Sequence, residues 1–116
     1  MSADPECIFC RIVAGDIPAT IVTRTDRLVA FRDLNPQAPT HLLVVPVDHY
    51  PNAGSMAQAD PALAADLLGL AAKVAADEGV GDAYRLVFNT GAEAGQSVFH
   101  AHLHLLGGRR FGWPPG

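Results

Sequence analysis

The sequence has no long hydrophobic run. Although 49% of its 116 residues are hydrophobic, no stretch approaches the roughly 18–20 apolar residues that cross a bilayer, so no membrane partner is expected. Positive charge is scarce as well. Eight Lys plus Arg face twelve Asp plus Glu, for a net charge of −4, and Lys73 is the one lysine. Chains that grip nucleic acid by neutralising phosphates carry the opposite bias, so no nucleic-acid partner is expected. A single small anion, held by local dipoles and a few arginines, stays compatible with that charge. Cysteine is limited to Cys7 and Cys10, too close together to staple a disulfide framework. The opening Met1–Glu6 is short and acidic, unlike a secretory or transit leader. The hydrophobic fraction excludes disorder. Length and composition predict one cytoplasmic domain with a single core, spanning residues 1–116.

Patterning fills in that domain. Cys7–Ala14 is apolar and followed by Gly15, which predicts a brief N-terminal helix with a glycine just past its end. Thr20–Thr23 and Leu28–Arg32 are rich in β-branched and apolar residues and predict a hairpin around 24–27. Asn35–Pro39 is a turn, and His41–Pro46 predicts a central strand. Asp60-Pro61 supplies an N-cap and a proline at the first helical position. Behind it, Leu63, Leu67, Leu70 and Val74 form one apolar stripe that Gly79 closes. Tyr84–Asn89 predicts a further strand, Gly91–Gln96 a turn, and Ser97–Leu106 the last strand, before an irregular tail from Gly107 to Gly116. The sum is an α+β domain: a five-stranded antiparallel sheet with one main helix and a short N-terminal helix.

The chemistry concentrates in His100-Ala101-His102-Leu103-His104. On a strand, alternate side chains share a face. His100, His102 and His104 would form a row of imidazoles, with Phe99, Ala101, Leu103 and Leu105 turned to the core. Such a row serves two chemistries. It can ligate a metal in a metal-dependent hydrolase, or one neutral imidazole can attack while its neighbours orient it and bind an anion. The preceding Gly91, Gly95, Gln96 and Ser97 make a turn whose backbone N–H groups can converge on a phosphate, which favours the second. Cys7 and Cys10 offer half a zinc site that His49 and His100 can complete. Two buried reduced thiols and a redox pair are the alternatives.

Gln96-Ser97-Val98-Phe99-His100-Ala101-His102-Leu103-His104-Leu105-Leu106 resembles the signature of the histidine triad superfamily. Cys7-Ile8-Phe9-Cys10, Gly15–Ala19, Phe31-Arg32-Asp33, Pro36–His41 and the closing Trp113-Pro114-Pro115-Gly116 are similar to the Hint branch, the histidine triad nucleotide-binding proteins. Ser97, the Gly107-Gly108-Arg109 run and the Trp-Pro-Pro-Gly ending resemble Hint more than the dinucleoside-polyphosphate hydrolase branch.

The resemblance implies a purine nucleoside phosphoramidase. His102 would attack the α-phosphorus to give a nucleotidyl-histidine, which water hydrolyses to the nucleoside monophosphate. His104 and backbone amides at Gly95, Gln96, Ser97 and Val98 would stabilise the phosphoryl oxygens. Ser97 and Asn89 would reach the leaving group or phosphate, and His41 would orient the triad and move protons. Asp33 would accept the ribose hydroxyls, while Phe9, Phe31 and Leu34 line the base pocket. On residue type alone, Asp33 and Asn89 are ordinary turn residues and Phe9 and Phe31 ordinary core. Related proteins with the Cys pair imply structural zinc on Cys7, Cys10, His49 and His100, with no cofactor in catalysis. A two-fold homodimer is implied too, with tail residues 107–116 at the interface and Trp113 acting in trans. The other readings of the same fold are a dinucleoside polyphosphate hydrolase, a nucleotidyl transferase and a non-catalytic nucleotide-binding dimer.

Overall fold

The computed structural model describes residues 3–116; Met1 and Ser2, the start of the acidic N-terminal segment, lie outside the described residues. In chain order the elements are α1 (Ile8–Val13), β1 (Ile21–Arg24), β2 (Leu28–Arg32), β3 (Thr40–Pro46), α2 (Ala53–Ala59), α3 (Pro61–Asp77), β4 (Tyr84–Phe88) and β5 (Leu103–Gly107). All five strands form one antiparallel sheet in the order β1-β2-β3-β5-β4. The α+β antiparallel architecture agrees with expectation; the helix inventory needs correcting. Among the described residues three α-helices are present rather than two, the addition being α2. Its seven residues, AGSMAQA, carry no apolar stripe, and what starts it is a capping box: Asn52 accepts from the Ser55 N–H while the Ser55 hydroxyl faces the Asn52 N–H.

The sheet is a two-sided wall. Leu28, Ala30, Leu42, Val44, Leu103 and Leu105 face α2 and α3, where they meet Met56, Leu63, Leu67, Ala71 and Val74. Residues one step out of phase, Val29, Phe31, Leu43 and Val45, pack against Phe9, Cys10 and Ile12 of α1. β3 lies at the centre with every residue buried, as a strand covered on both faces must.

The last strand is shorter than predicted. Pairing to β3 and β4 begins at Leu103, and 97–100 bend instead of continuing the strand. Those residues hang on another segment. The Ala101 N–H donates to the Tyr50 carbonyl at 2.7 Å, and the Gln96 side-chain amide donates to the carbonyls of Pro51 at 2.7 Å and Val98 at 3.1 Å. Alternation therefore holds only from Ala101 onward. Ala101, Leu103 and Leu105 are buried as expected, whereas Phe99 stands 53% exposed rather than in the core.

Leu42→Ala, at the centre of the α3-facing layer, is expected to lower unfolding free energy by about 2–5 kcal/mol. Leu34→Ala, at a position 86% exposed, should change it by under about 0.5 kcal/mol. Urea titrations of both variants, read by far-ultraviolet circular dichroism, check the contrast.

Candidate active site

Four of the five histidines, His41, His100, His102 and His104, have hydrogen bonds that fix which ring nitrogen carries the proton. His41 lies on β3 and His104 on β5. Leu43 pairs with His104 across the ladder, so His41, two residues earlier on the same face, is its diagonal neighbour. His41 Nδ1 accepts from the backbone N–H of Gln37 at 2.9 Å, so neutral His41 carries its proton on Nε2. That proton is donated to His104 Nδ1 at 3.0 Å, which leaves His104 with N–H at Nε2. His102 Nδ1–H donates to the His100 carbonyl at 2.7 Å, which frees the Nε2 lone pair of His102. His100 Nε2–H donates to the Pro46 carbonyl at 2.8 Å, freeing its Nδ1. A neutral imidazole has one donor and one acceptor, and here the backbone decides which is which.

Burial keeps the rings neutral. Desolvation pushes His104 down to about 4, reinforced by His102 and His41 and opposed by Asp33. Desolvation also lowers His102, against the hydrogen bond to the His100 carbonyl and the Asp33 charge. It lowers His41 too, again against Asp33. Phe9 covers this group edge-on, its ring 4.9 Å from that of His102 at 82°. Phe9 in turn meets Phe31 at 5.6 Å. Beside them an apolar cavity of about 100 Å³ is lined by Ile8, Phe9, Ile12, Phe31, Asp33 and Leu34 among others. Asp33 is engaged twice: Oδ1 accepts from the Asn35 N–H at 2.8 Å, and Oδ2 stands 3.4 Å from His41 Nε2. The turn-capping and site readings of Asp33 therefore coexist, since a carboxylate has further lone pairs.

The loop before the row is set by glycines in the left-handed region, Gly91 at φ 89° and Gly95 at φ 98°. Asn89 and Gly95 come together: a Cβ on Gly95 would lie 3.8 Å from Asn89 Nδ2. Ser97 is exposed and Val98 half-buried. Gln96 departs from the expected contact role. Its side chain is buried and committed, with Oε1 accepting from the Gly91 N–H at 2.9 Å, and its own N–H goes to the Gly91 carbonyl at 3.1 Å. It shapes the loop from behind. Trp113 is 87% exposed, in a tail held against β4 where Arg85 donates to the Gly112 carbonyl at 2.7 Å.

A second cluster adjoins the first. One donor atom each from Cys7, Cys10, His49 and His100 lie within 4.8 Å of one another. Cys7 Sγ is 3.4 Å from His100 Nδ1, Cys10 Sγ is 3.4 Å from His49 Nδ1 and 3.5 Å from His100 Nδ1, and the two Nδ1 atoms are 3.2 Å apart. A tetrahedral zinc with Zn–S of about 2.3 Å and Zn–N of about 2.05 Å sets S···N edges near ~3.5 Å and N···N edges near ~3.3 Å. The donors already stand at those separations. The Asp33–His41–His104 group, equally close-set, suits a cation less: His41 Nε2 carries the proton that Gln37 obliges it to carry, and a metal there would have to displace it.

Ile8, Ile12 and the backbone of Gln37 are site features beyond those expected from sequence. The first two sit four apart on α1, a spacing visible in the sequence. Gln37 acts through its N–H, which no side-chain pattern records.

Acid should weaken the fold. The buried His104 ring resists protonation to about 4, whereas an unfolded histidine takes its proton near about 6.5. Between those values the unfolded chain binds more protons, so stability is full above about pH 6.5 and falls as pH drops. Urea midpoints at pH 7.5 and 5.0 should show that drop, and His104→Asn should reduce it. A midpoint that rises on acidification would contradict this origin.

A HIT domain family model matches residues 14–111. An uncharacterized HIT-like protein of Synechocystis is 52% identical over 111 residues, 96% of this chain and 97% of that protein. A 14 kDa zinc-binding protein of Zea mays is 44% identical over 115 residues, 97% and 90% of the two chains. Among solved structures, a HIT family hydrolase from Legionella pneumophila superposes with a TM-score of 0.92 at 49% identity, covering 96% of this chain and all of that one (100%). One from Clostridium thermocellum gives 0.90 at 40%, covering 95% and 96%. With the HIT domain matched over residues 14–111 and relatives about half identical over nearly the whole chain, the chain belongs to the HIT family.

Proposed function

We propose that the protein is a hydrolase that acts as a Hint-type purine nucleoside phosphoramidase, cleaving the P–N bond of adenosine or guanosine 5′-phosphoramidates. The observation that carries the reading is the hydrogen bond from His102 Nδ1–H to the His100 carbonyl, which leaves an unprotonated Nε2 on a ring that burial keeps neutral. In the first step the Nε2 lone pair of His102 forms a bond to the α-phosphorus while the P–N bond breaks. The leaving nitrogen departs with that electron pair and is protonated at the solvent side, where Ser97 hydrogen-bonds it. In the second step water attacks phosphorus and gives up a proton to solvent, the His102–phosphorus bond breaks, and its electron pair returns to Nε2 as the monophosphate forms. Splitting one displacement into two is the benefit of covalent catalysis.

The neighbours take supporting roles. His104 Nε2–H, directed by its bond from His41, donates to a phosphoryl oxygen, as do the backbone N–H groups of Ser97 and Val98; those of Gly95 and Gln96 are taken by the carbonyls of Ala92 and Gly91. Asn89, beside Gly95, reaches the same phosphate. Asp33 takes the ribose hydroxyls, and the cavity beside Phe9, Phe31 and Leu34 takes the purine. Zinc on Cys7, Cys10, His49 and His100 is structural and shapes the site from behind. Supporting it are the tetrahedral donor spacing and the zinc-binding relative from maize. Without a metal, burial pushes the Cys10 thiol up, so binding must displace a proton there. The single domain acts in the cytoplasm as a two-fold dimer through β4, an edge strand with every residue partly exposed. Trp113, exposed in the neighbouring tail, reaches the partner's site.

Rapid mixing with adenosine 5′-phosphoramidate followed by intact-mass spectrometry should show an adenylate adduct and released AMP. His102→Ala should lose the adduct and at least about a thousandfold in turnover, with nucleotide binding kept within about tenfold. Ser97→Ala should slow substrates with poor leaving groups more than activated ones. AMP without an adduct, abolished by chelation, would point instead to metal-dependent hydrolysis.

Elemental analysis of the purified chain should find one zinc per chain, lost in Cys10→Ser. Chelation should lower the melting temperature with at most a secondary effect on turnover.

A further inference from the structure

We propose that the acid-lined cavity in front of Cys7 and His49 is the port by which a divalent metal ion enters and leaves the Cys7–Cys10–His49–His100 cluster, with Asp4 and Glu6 capturing the hydrated cation at its mouth. The inference rests on the zinc reading above. The cavity holds about 430 Å³, and its walls include Asp4, Glu6, Cys7, His49, Ser97 and Phe99. Two of the four residues of the cluster thus line it. Cys10 and the fully buried His100 do not line it, and His100 is fixed by the Pro46 carbonyl. Of the four residues His49 is the partly exposed one and the other three are buried, so the cavity beside His49 is the side from which an ion can arrive.

The charge of that side suits a cation. Among the described residues, no Lys or Arg lines the cavity, and both carboxylates that do are acidic neighbours of the Cys pair. The segment bearing them is tied to the cluster. The Asp4 N–H donates to Cys10 Sγ at 3.3 Å, and Asp4 Oδ1 accepts from the Glu6 N–H at 2.9 Å, so the Asp4 carboxylate is held at the opening. Carboxylate oxygens accept a hydrated ion readily, whereas thiolate and imidazole hold zinc more firmly once its waters are shed. Passage inward therefore runs from weaker to stronger donors. As each sulfur–metal bond forms, its thiol proton leaves to solvent, and His49 and His100 contribute lone pairs without proton loss. A charged cleft concentrates its counter-ion and speeds association, and salt removes the gain.

The full chain, stripped by chelator under reducing conditions, is mixed with Co²⁺ in a stopped-flow instrument, and uptake is followed by thiolate-to-cobalt charge-transfer absorption. The double variant Asp4→Asn with Glu6→Gln should load about 3- to 10-fold more slowly at low salt. The final absorbance should match the parent, and the gap should close at high salt. Asp4→Lys with Glu6→Lys should be slower still. Equal rates for parent and variants, or a slowing indifferent to salt, would overturn the port. Absence of the thiolate–cobalt band from parent and variants alike would instead overturn the zinc reading, and the port with it.

Discussion

One buried residue organises both clusters. His100 donates from Nε2 to the Pro46 carbonyl, turns Nδ1 toward two sulfurs and a second imidazole, and receives the His102 Nδ1–H on its own backbone oxygen. A fully buried imidazole must have its polar atoms partnered, because each unpaired one costs roughly 1–3 kcal/mol. Here every partner is also a positional constraint. The bond to Pro46 ties the row to the end of β3, and the bond from His102 aims a lone pair outward. Among the described residues no buried side-chain nitrogen or oxygen lacks a partner, so the polar interior stands as a completed network, the condition under which such networks rigidify a site.

That network explains why a single short strand suffices to present the chemistry. β5 pairs only from Leu103, so His104 alone of the triad stands on a ladder. His102 and His100 are placed instead by carbonyls of the chain around them. The segment from Pro46 to Pro51 carries much of this weight, accepting from His100, Ala101 and Gln96 in turn. A loop so tethered keeps its side chains in place without sheet pairing, and the N–H groups of Gly91, Ala94, Gly95 and Gln96 close it by bonding back within the loop.

Much of the fold was legible because periodicity reports burial. The α3 stripe of Leu63, Leu67 and Val74, the apolar β3 and the alternation from Ala101 to Leu105 all describe which face meets a core, and the structure has them so. What escaped reading acts through the backbone. α2 owes its start to the reciprocal Asn52–Ser55 cap rather than to an apolar face. The bend at 97–100, and with it the exposure of Phe99, follows from carbonyls of Tyr50 and Pro51, far from the bend in sequence. Gln96 looked like a ligand contact by its place in a motif, yet its amide is spent on the loop. The Cys–His cluster was readable because ligand chemistry restricts residue types so strongly.

The sheet divides labour between its faces, and the division runs through single strands. Leu103 and Leu105 pack toward α3 while His104, between them, faces α1. Sequence drift on the helical side is therefore free to exchange one aliphatic side chain for another of similar volume, provided the ladder does not shift. Drift on the other side meets a lattice of tautomers in which each ring's proton is dictated by its neighbour. A lineage of this protein should accordingly diverge unevenly, its hydrophobic layer wandering while the polar layer stays almost still.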